Sequence, residues 1–161
     1  MDWQAVKVLF CDVDGVLTDG GLYFGPEGQL FKRFNVLDGL GLRRLASVGV
    51  KVIFISGDDT GIVPARARRL DVTEVYTCCE DKATVVRQTL ERIELRAEQA
   101  CFIGDDVLDV PGMREVGFPV APPNAHPLAL QAACYVTRRP GGHGAVREIC
   151  DLIQGLPWPD N

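Results

Sequence analysis

Asp12-Val13-Asp14-Gly15 follows the apolar run Val6–Cys11 and sets two carboxylates two positions apart. At the end of an extended strand that spacing points both side chains the same way. One carboxylate can then attack phosphorus and carry the phosphoryl group as an aspartyl phosphate. The other can protonate the departing oxygen and later take a proton from water. Asp12 is expected in the first role and Asp14 in the second. Asp and Gly also favour turns for local reasons, so the tetrapeptide alone decides nothing. A calcium loop fails on residue type, because Val16 stands at its third ligand position and Tyr23 at its twelfth.

A second acidic cluster, Gly104-Asp105-Asp106-Val107-Leu108-Asp109, ends the apolar run Ala100–Ile103. Three carboxylates this close repel one another without a cation. Oxygen donors alone suit Mg²⁺, which keeps several waters and takes one or two carboxylates plus a substrate phosphate. The expected metal ligands are Asp12, Asp14 and Asp105, with Asp106 and Asp109 orienting the shell; Asp109 could equally be the N-cap of the helix that follows. A phosphoryl group in transfer also needs donors and a cation for its equatorial oxygens. Ser56, the Gly57 backbone and Lys82 fit, with Lys82 at the start of a helix capped by Asp81. Taken singly, a lysine on a first helical turn is usually solvated and Ser-Gly is an ordinary turn. Their company gives them meaning.

The elements that must position these residues alternate. Val6–Cys11, Val50–Ile55, Glu74–Thr77, Ala100–Ile103 and Phe118–Ala121 are predicted strands, and their unbroken apolar character suits burial on both faces. Asp38–Val48, Thr60–Leu70, Asp81–Leu95, Asp109–Val116, Asn124–Ala133 and Ala145–Ile153 are predicted helices. The pattern implies an α/β fold, a doubly wound and mostly parallel Rossmann-like sheet whose ligands collect beyond the carboxyl ends of the strands. Each acidic or donor cluster falls at such an end. One β-hairpin is expected before the first helix, with Gly21–Phe24 and Gln29–Phe34 flanking Gly25-Pro26-Glu27-Gly28. The remaining tail, Gly155–Asn161, is expected to be loosely ordered.

With 161 residues, 47% of them hydrophobic, the chain suits a single domain with one core. Seventeen basic residues against 22 acidic ones leave a net charge of −5, which offers no basic stripe for nucleic acid. No apolar stretch approaches the roughly 18 to 20 residues that span a bilayer. No secretory segment is evident at Met1–Trp3, so the six cysteines are expected to be reduced cytosolic thiols. Cys11, Cys101, Cys134 and Cys150 lie in or beside apolar runs, and a zinc-type pairing with Cys78 or Cys79 is missing.

Taken in order, Asp12-x-Asp14-Gly15, Ser56, Lys82 and Gly104-Asp105-Asp106 make the chain similar to the haloacid dehalogenase superfamily of phosphatases. Within it, the stretch from Asp12 to Gly20, Phe34-Asn35-Val36 with Asp38-Gly39, Ala125-His126-Pro127, and Gly141-Gly142 with Gly144–Glu148 resemble the 3-deoxy-D-manno-octulosonate 8-phosphate phosphatases over nearly the whole chain. The resemblance implies a cytoplasmic hydrolase of a phosphorylated sugar acid on a lipopolysaccharide precursor pathway. It adds Asn35, Asp38, Asp58, Arg66 and Arg147 as candidate substrate contacts, although Arg66 and Arg147 could also be ordinary helix charges. The chain departs from that family at Asp58, Leu37 and His143, where arginines are usual. Asp58, with Arg69 further along, looks more like relatives acting on nine-carbon sugar acid 9-phosphates of the 2-keto-3-deoxynononate or N-acetylneuraminate type. Neither Leu nor Asp offers the bidentate fork with which Arg reads a carboxylate.

The gaps where other superfamily members insert a cap domain hold only the hairpin and one helix. An open site gains from a cover that excludes water. The hairpin and the segment Gly141–Arg147 are the available pieces, and the resemblance implies a homotetramer in which neighbours supply them. Two other readings compete. A phospho-receiver domain would carry its acceptor Asp after the third strand, where Thr77-Cys78-Cys79 stands. A catalytically retired assembly domain would have no need of Asp12, Asp14, Lys82 and Asp105 together.

Overall fold

The computed structural model describes residues 1–158, so Pro159, Asp160 and Asn161 of the expected tail lie outside the described residues. Strand β1 (Val8–Cys11) is followed by β2 (Tyr23–Gly25), β3 (Gly28–Phe31) and α1 (Val36–Ser47). The chain then alternates: β4 (Lys51–Ile55), α2 (Ile62–Arg69), β5 (Glu74–Tyr76), α3 (Lys82–Arg92), β6 (Ala100–Ile103), α4 (Val110–Met113) and β7 (Phe118–Ala121). It ends with α5 (Pro127–Ala132), β8 (Tyr135–Val136) and α6 (Ala145–Ile153).

Six strands form a parallel sheet in the order β5-β4-β1-β6-β7-β8. The expected five are present. The sixth, β8, is too short at two residues to carry a periodicity of its own. Each central strand sends alternate side chains to opposite faces, as the pleat requires. Leu9, Cys11, Phe54, Cys101 and Ile103 pack on one side with Leu42, Leu45, Val63, Ile149 and Ile153 of α1, α2 and α6. Phe10, Ile53, Ile55 and Phe102 pack on the other with Val86, Leu90, Met113 and Ala129 of α3, α4 and α5. The chain winds from β1 outward to β5, then crosses back to place β6 on the free edge of β1. The carboxyl ends of β1 and β6 therefore flank the switch point where ligands of doubly wound sheets bind.

Local chemistry moved several boundaries. Asn35 accepts a hydrogen bond from the Leu37 N–H and starts α1 two residues before the expected Asp38. Gly61, at φ +77, delays α2 to Ile62 instead of Thr60. Pro127 keeps His126 out of helical backbone, at ψ 143, so α5 starts at Pro127 rather than Asn124, and the His126 ring caps it at the Leu128 N–H. The expected helix Asp109–Val116 contracts to the single turn of α4, and Asp81–Leu95 ends early at Arg92. The hairpin is also shorter than predicted. Gly25 pairs with Gly28 across Pro26-Glu27, and the Tyr23 and Phe31 rings stack at 4.6 Å. All six cysteines are free, and Cys134, expected among apolar neighbours, is exposed.

Candidate active site

The β1–β6 ladder runs one step beyond the strand, because the Asp12 N–H donates to the Ile103 carbonyl at 3.0 Å. Asp12 is thereby fixed at the switch point with a side chain that is almost fully buried. Lys82, on the first turn of α3 behind the Asp81 cap, donates to Asp12 Oδ1 at 2.5 Å and to Asp109 Oδ1 at 2.6 Å. Asp109 Oδ2 accepts from the backbone N–H groups of Asp105 and Asp106 at 2.9 and 3.0 Å. Its carboxylate thus folds the acidic loop and grips the lysine, and it makes no capping bond to α4.

Two close approaches complete the floor. A Cβ on Gly15, which sits at φ +82, would lie 1.9 Å from Asp105 Oδ2, so only glycine lets the two acidic loops touch. Asp105 is held from its other side by the His126 N–H, which donates to its carbonyl at 2.7 Å. A Cβ on Gly141 would fall 1.7 Å from the Gly15 carbonyl oxygen, and the Gly142 N–H donates to Val16 at 2.8 Å. The glycine-rich segment therefore clasps the loop that carries Asp12 and Asp14.

Carboxylate oxygens of Asp12, Asp105 and Asp109 lie within 4.8 Å of one another. Burial, then Asp109, pushes Asp12 well above the usual carboxylate range, against the pull of Lys82. Asp105 is pushed up to about 7 by burial and by its neighbours Asp109 and Asp106. Burial by itself would lower the Lys82 ammonium, but Asp12 and Asp109 outweigh it and keep it charged. One ammonium does not neutralise three carboxylates. Hard oxygen donors with uncompensated negative charge fit a hard divalent cation. Asp14 and Asp106 stand outside this cluster.

Above the cluster opens a cavity of about 580 Å³. Asp12, Asp14, Gly57, Asp58, Lys82, Asp106 and Asp109 line it, and the hairpin region closes one side with Leu22, Phe24, Gln29 and Lys32. Ser56 is buried at the end of β4, and its hydroxyl accepts from the Asp58 N–H at 3.0 Å. That leaves the hydroxyl proton to donate elsewhere. Cys79 N–H and Cys78 N–H donate to Ser56 and Asp58 carbonyls, tying the loops after β4 and β5 together.

Ser56 is not among the residues lining this cavity, nor are four of the expected sugar-acid contacts. Asn35 caps α1 and donates to the Gly142 carbonyl at 3.2 Å. Asp38 is buried and accepts from Gly144 and Arg147 N–H groups at 3.2 and 2.8 Å, fastening α1 to α6. Arg66 donates to the Asn35 carbonyl at 3.2 Å and lies over the Phe34 ring. Arg147 bonds Asp151 at 2.8 Å, one helical turn on. In each case a partner in the chain's own scaffold satisfies the group. Sequence reasoning also passed over Lys32, which donates to Asp14 Oδ2 at 2.8 Å and pairs with Asp58 at 3.1 Å. A lone lysine after a hairpin strand carries no signal of its own.

A haloacid dehalogenase-like hydrolase profile matches residues 37–117. The sequence is 45% identical over 148 residues to the 3-deoxy-D-manno-octulosonate 8-phosphate phosphatase of Yersinia pestis, covering 92% of this chain and 79% of that one. It is 41% identical over 150 residues to the phosphatase of the same name from Escherichia coli K12, covering 93% and 80%. The fold superposes with a TM-score of 0.92 on the phosphatase of that name from Moraxella catarrhalis, solved with magnesium ion, phosphate ion and KDO, at 34% identity over 96% and 88% of the two chains. It matches the cobalt-bound Haemophilus influenzae phosphatase equally, at a TM-score of 0.92 and 33% identity over 96% and 91%.

Proposed function

The chain belongs to the haloacid dehalogenase-like hydrolases and is a phosphomonoesterase of the 3-deoxy-D-manno-octulosonate 8-phosphate phosphatase type, and we propose that it hydrolyses that ester with Mg²⁺ through an aspartyl phosphate on Asp12. The observation that carries the reading is the meeting of Asp12, Lys82, Asp105 and Asp109 at the sheet's switch point, under a cavity of sugar-phosphate size.

In the first step a carboxylate oxygen of Asp12 bonds to phosphorus as the phosphorus–oxygen bond to the sugar breaks, and Asp14 gives its proton to the departing oxygen. In the second, water attacks phosphorus, its proton passes to Asp14, and the bond to Asp12 breaks. Phosphate leaves, and both aspartates return to their starting states. Lys82, the Ser56 hydroxyl and the Gly57 N–H are the donors for charge on the phosphoryl oxygens. Asp12 and Asp105 would hold Mg²⁺, with the Asp109 carboxylate in reach and Asp106 beside it. Asp14 is less suited to that task, since its carboxylate is engaged by Lys32. When bound, the ion supplies positive charge that keeps Asp12 ionised and offsets the phosphate.

A nine-carbon sugar acid 9-phosphate is the second reading, and it draws on Asp58. That residue is already held by Lys32 and accepts from Thr60 Oγ1 at 2.7 Å, which favours the eight-carbon ester. The test is kcat/KM across eight- and nine-carbon keto sugar acid phosphates. A preference for the eight-carbon ester supports the assignment; equal activity on all of them would sink it while leaving the chemistry intact.

The hairpin exposes Leu22, Tyr23, Phe24 and Phe31, and the start of α1 exposes Val36, Leu37 and Leu40. So much apolar surface beside an open site supports the homotetramer. No helix among the described residues is long and apolar enough to cross a membrane, and six free thiols are consistent with a cytoplasmic setting.

A further inference from the structure

Lys32 directly follows β3, and its side chain is only 1% exposed although Phe31 and Arg33 on either side face solvent. A buried ammonium is costly unless paired. This one is paired twice, at 2.8 Å to Asp14 Oδ2 and at 3.1 Å to Asp58 Oδ1. The two oxygens of Asp14 are not equivalent. Oδ1 is shut off from solvent and has no hydrogen-bond partner, whereas the side chain as a whole is 37% exposed. The oxygen that faces the cavity is therefore Oδ2, the one Lys32 holds. Asp58 is fixed in its turn by Thr60, whose hydroxyl and N–H donate to Asp58 Oδ2 at 2.7 and 3.3 Å.

Building on the acid/base role given to Asp14, we propose that Lys32 is a positioning residue for proton transfer, holding Asp14 Oδ2 toward the leaving oxygen, and that Asp58 anchors Lys32 rather than contacting substrate. Direct substrate binding by Lys32 is disfavoured by geometry. Its side chain offers almost no surface to a ligand, and its ammonium is already engaged by Asp14 Oδ2 and Asp58 Oδ1. Asp58 thus has a task in this chain that an arginine at the same position could not perform, because two cations would then face each other between the end of β3 and the loop after β4.

The proposal has a kinetic signature. A sugar alkoxide is a poor leaving group and needs the proton from Asp14, whereas 4-nitrophenolate departs without one. Because kcat/KM reports events up to the first phosphoryl transfer, it isolates that need from the dephosphorylation step common to both substrates. Lys32→Met is expected to lower kcat/KM for 3-deoxy-D-manno-octulosonate 8-phosphate by roughly 10²-fold and for 4-nitrophenyl phosphate by less than about threefold. Asp14→Asn should show the same asymmetry. Lys32→Gln, which keeps a donor of similar reach without the charge, replaces Lys32→Met if that variant does not fold, with the same asymmetry expected. Asp58→Asn should shift kcat/KM in the same direction by less, and add nothing in the Lys32→Met background.

Equal losses on both substrates, or no loss on either, would overturn the positioning role. Full additivity of Asp58→Asn with Lys32→Met would overturn the anchoring role. Failure of the underlying reading looks different: wild-type protein would be inactive on both substrates with Mg²⁺, or Asp12→Asn would remain active on both.

Discussion

Asp12 gains its standing from what surrounds it. A buried carboxylate beside Asp105 and Asp109 needs a cation, and the chain supplies one ammonium where at least two charges are wanted. The Asp105 carboxyl, pushed up to about 7 from an unfolded value near 3.9, gives this a pH dependence in metal-free protein. Between those values the folded state binds more protons than the unfolded one, so stability falls as pH rises through that window and levels off above it. Adding Mg²⁺ near pH 6 should therefore release protons, and the release should shrink toward pH 9. Calorimetry in two buffers of different ionisation enthalpy measures it; pH-independent release would contradict the assigned ligand set. For Asp14→Asn, turnover should drop by about 10²- to 10⁴-fold while Mg²⁺ binding persists. Calorimetric Mg²⁺ titration of the variant separates the two effects. Asp12, Lys82 and Asp105 were legible as candidates because each stands just beyond a strand or opens a helix, and such ends converge in a doubly wound sheet; Asp14 lies instead in the turn beyond β1, outside the acidic cluster where it was expected as a metal ligand. Lys32 was not, since its importance comes from a hairpin folding over the site, a long-range event that spacing cannot report.

At the level of elements, the sequence revealed five of the six sheet strands, but not β8 or how the last third of the chain locks onto the first. Glu148, on the first turn of α6, is fully buried and accepts from the Tyr135 hydroxyl and the Arg138 and Arg139 N–H groups. It ties β8 and the following loop to α6. Asp38 does the same between α1 and α6, which explains why this motif residue, expected at the substrate, is instead part of the frame. Glu148→Ala should cost about 2 kcal/mol in chemical denaturation, because it removes the buried carboxylate that accepts from three groups of β8 and the following loop. Gly141→Ala tests the clasp itself. The added methyl collides with the Gly15 carbonyl, so activity should fall by at least about tenfold even where the fold survives, as a displaced catalytic group readily costs that much. Unchanged kcat in folded Gly141→Ala would show that the segment does not position the Asp12–Asp14 loop.

The whole molecule is a sheet whose switch point is built for phosphoryl transfer and whose site is walled on one side by a hairpin with exposed apolar residues. Light scattering should find a tetramer, and Phe24→Asp should shift it toward smaller species, since a charge at a buried interface is costly; a monodisperse monomer with full activity would contradict the assembly. All of these expectations depend on covalent chemistry at one residue. The most direct measurement is mass spectrometry of acid-quenched Asp14→Asn protein after incubation with Mg²⁺ and 4-nitrophenyl phosphate. A phosphoryl group on Asp12, absent when the incubation contains EDTA or the Asp12→Asn change, is the expected result. Rapid phosphate release by Asp12→Asn protein, with no phosphorylated aspartate in either variant, would contradict it.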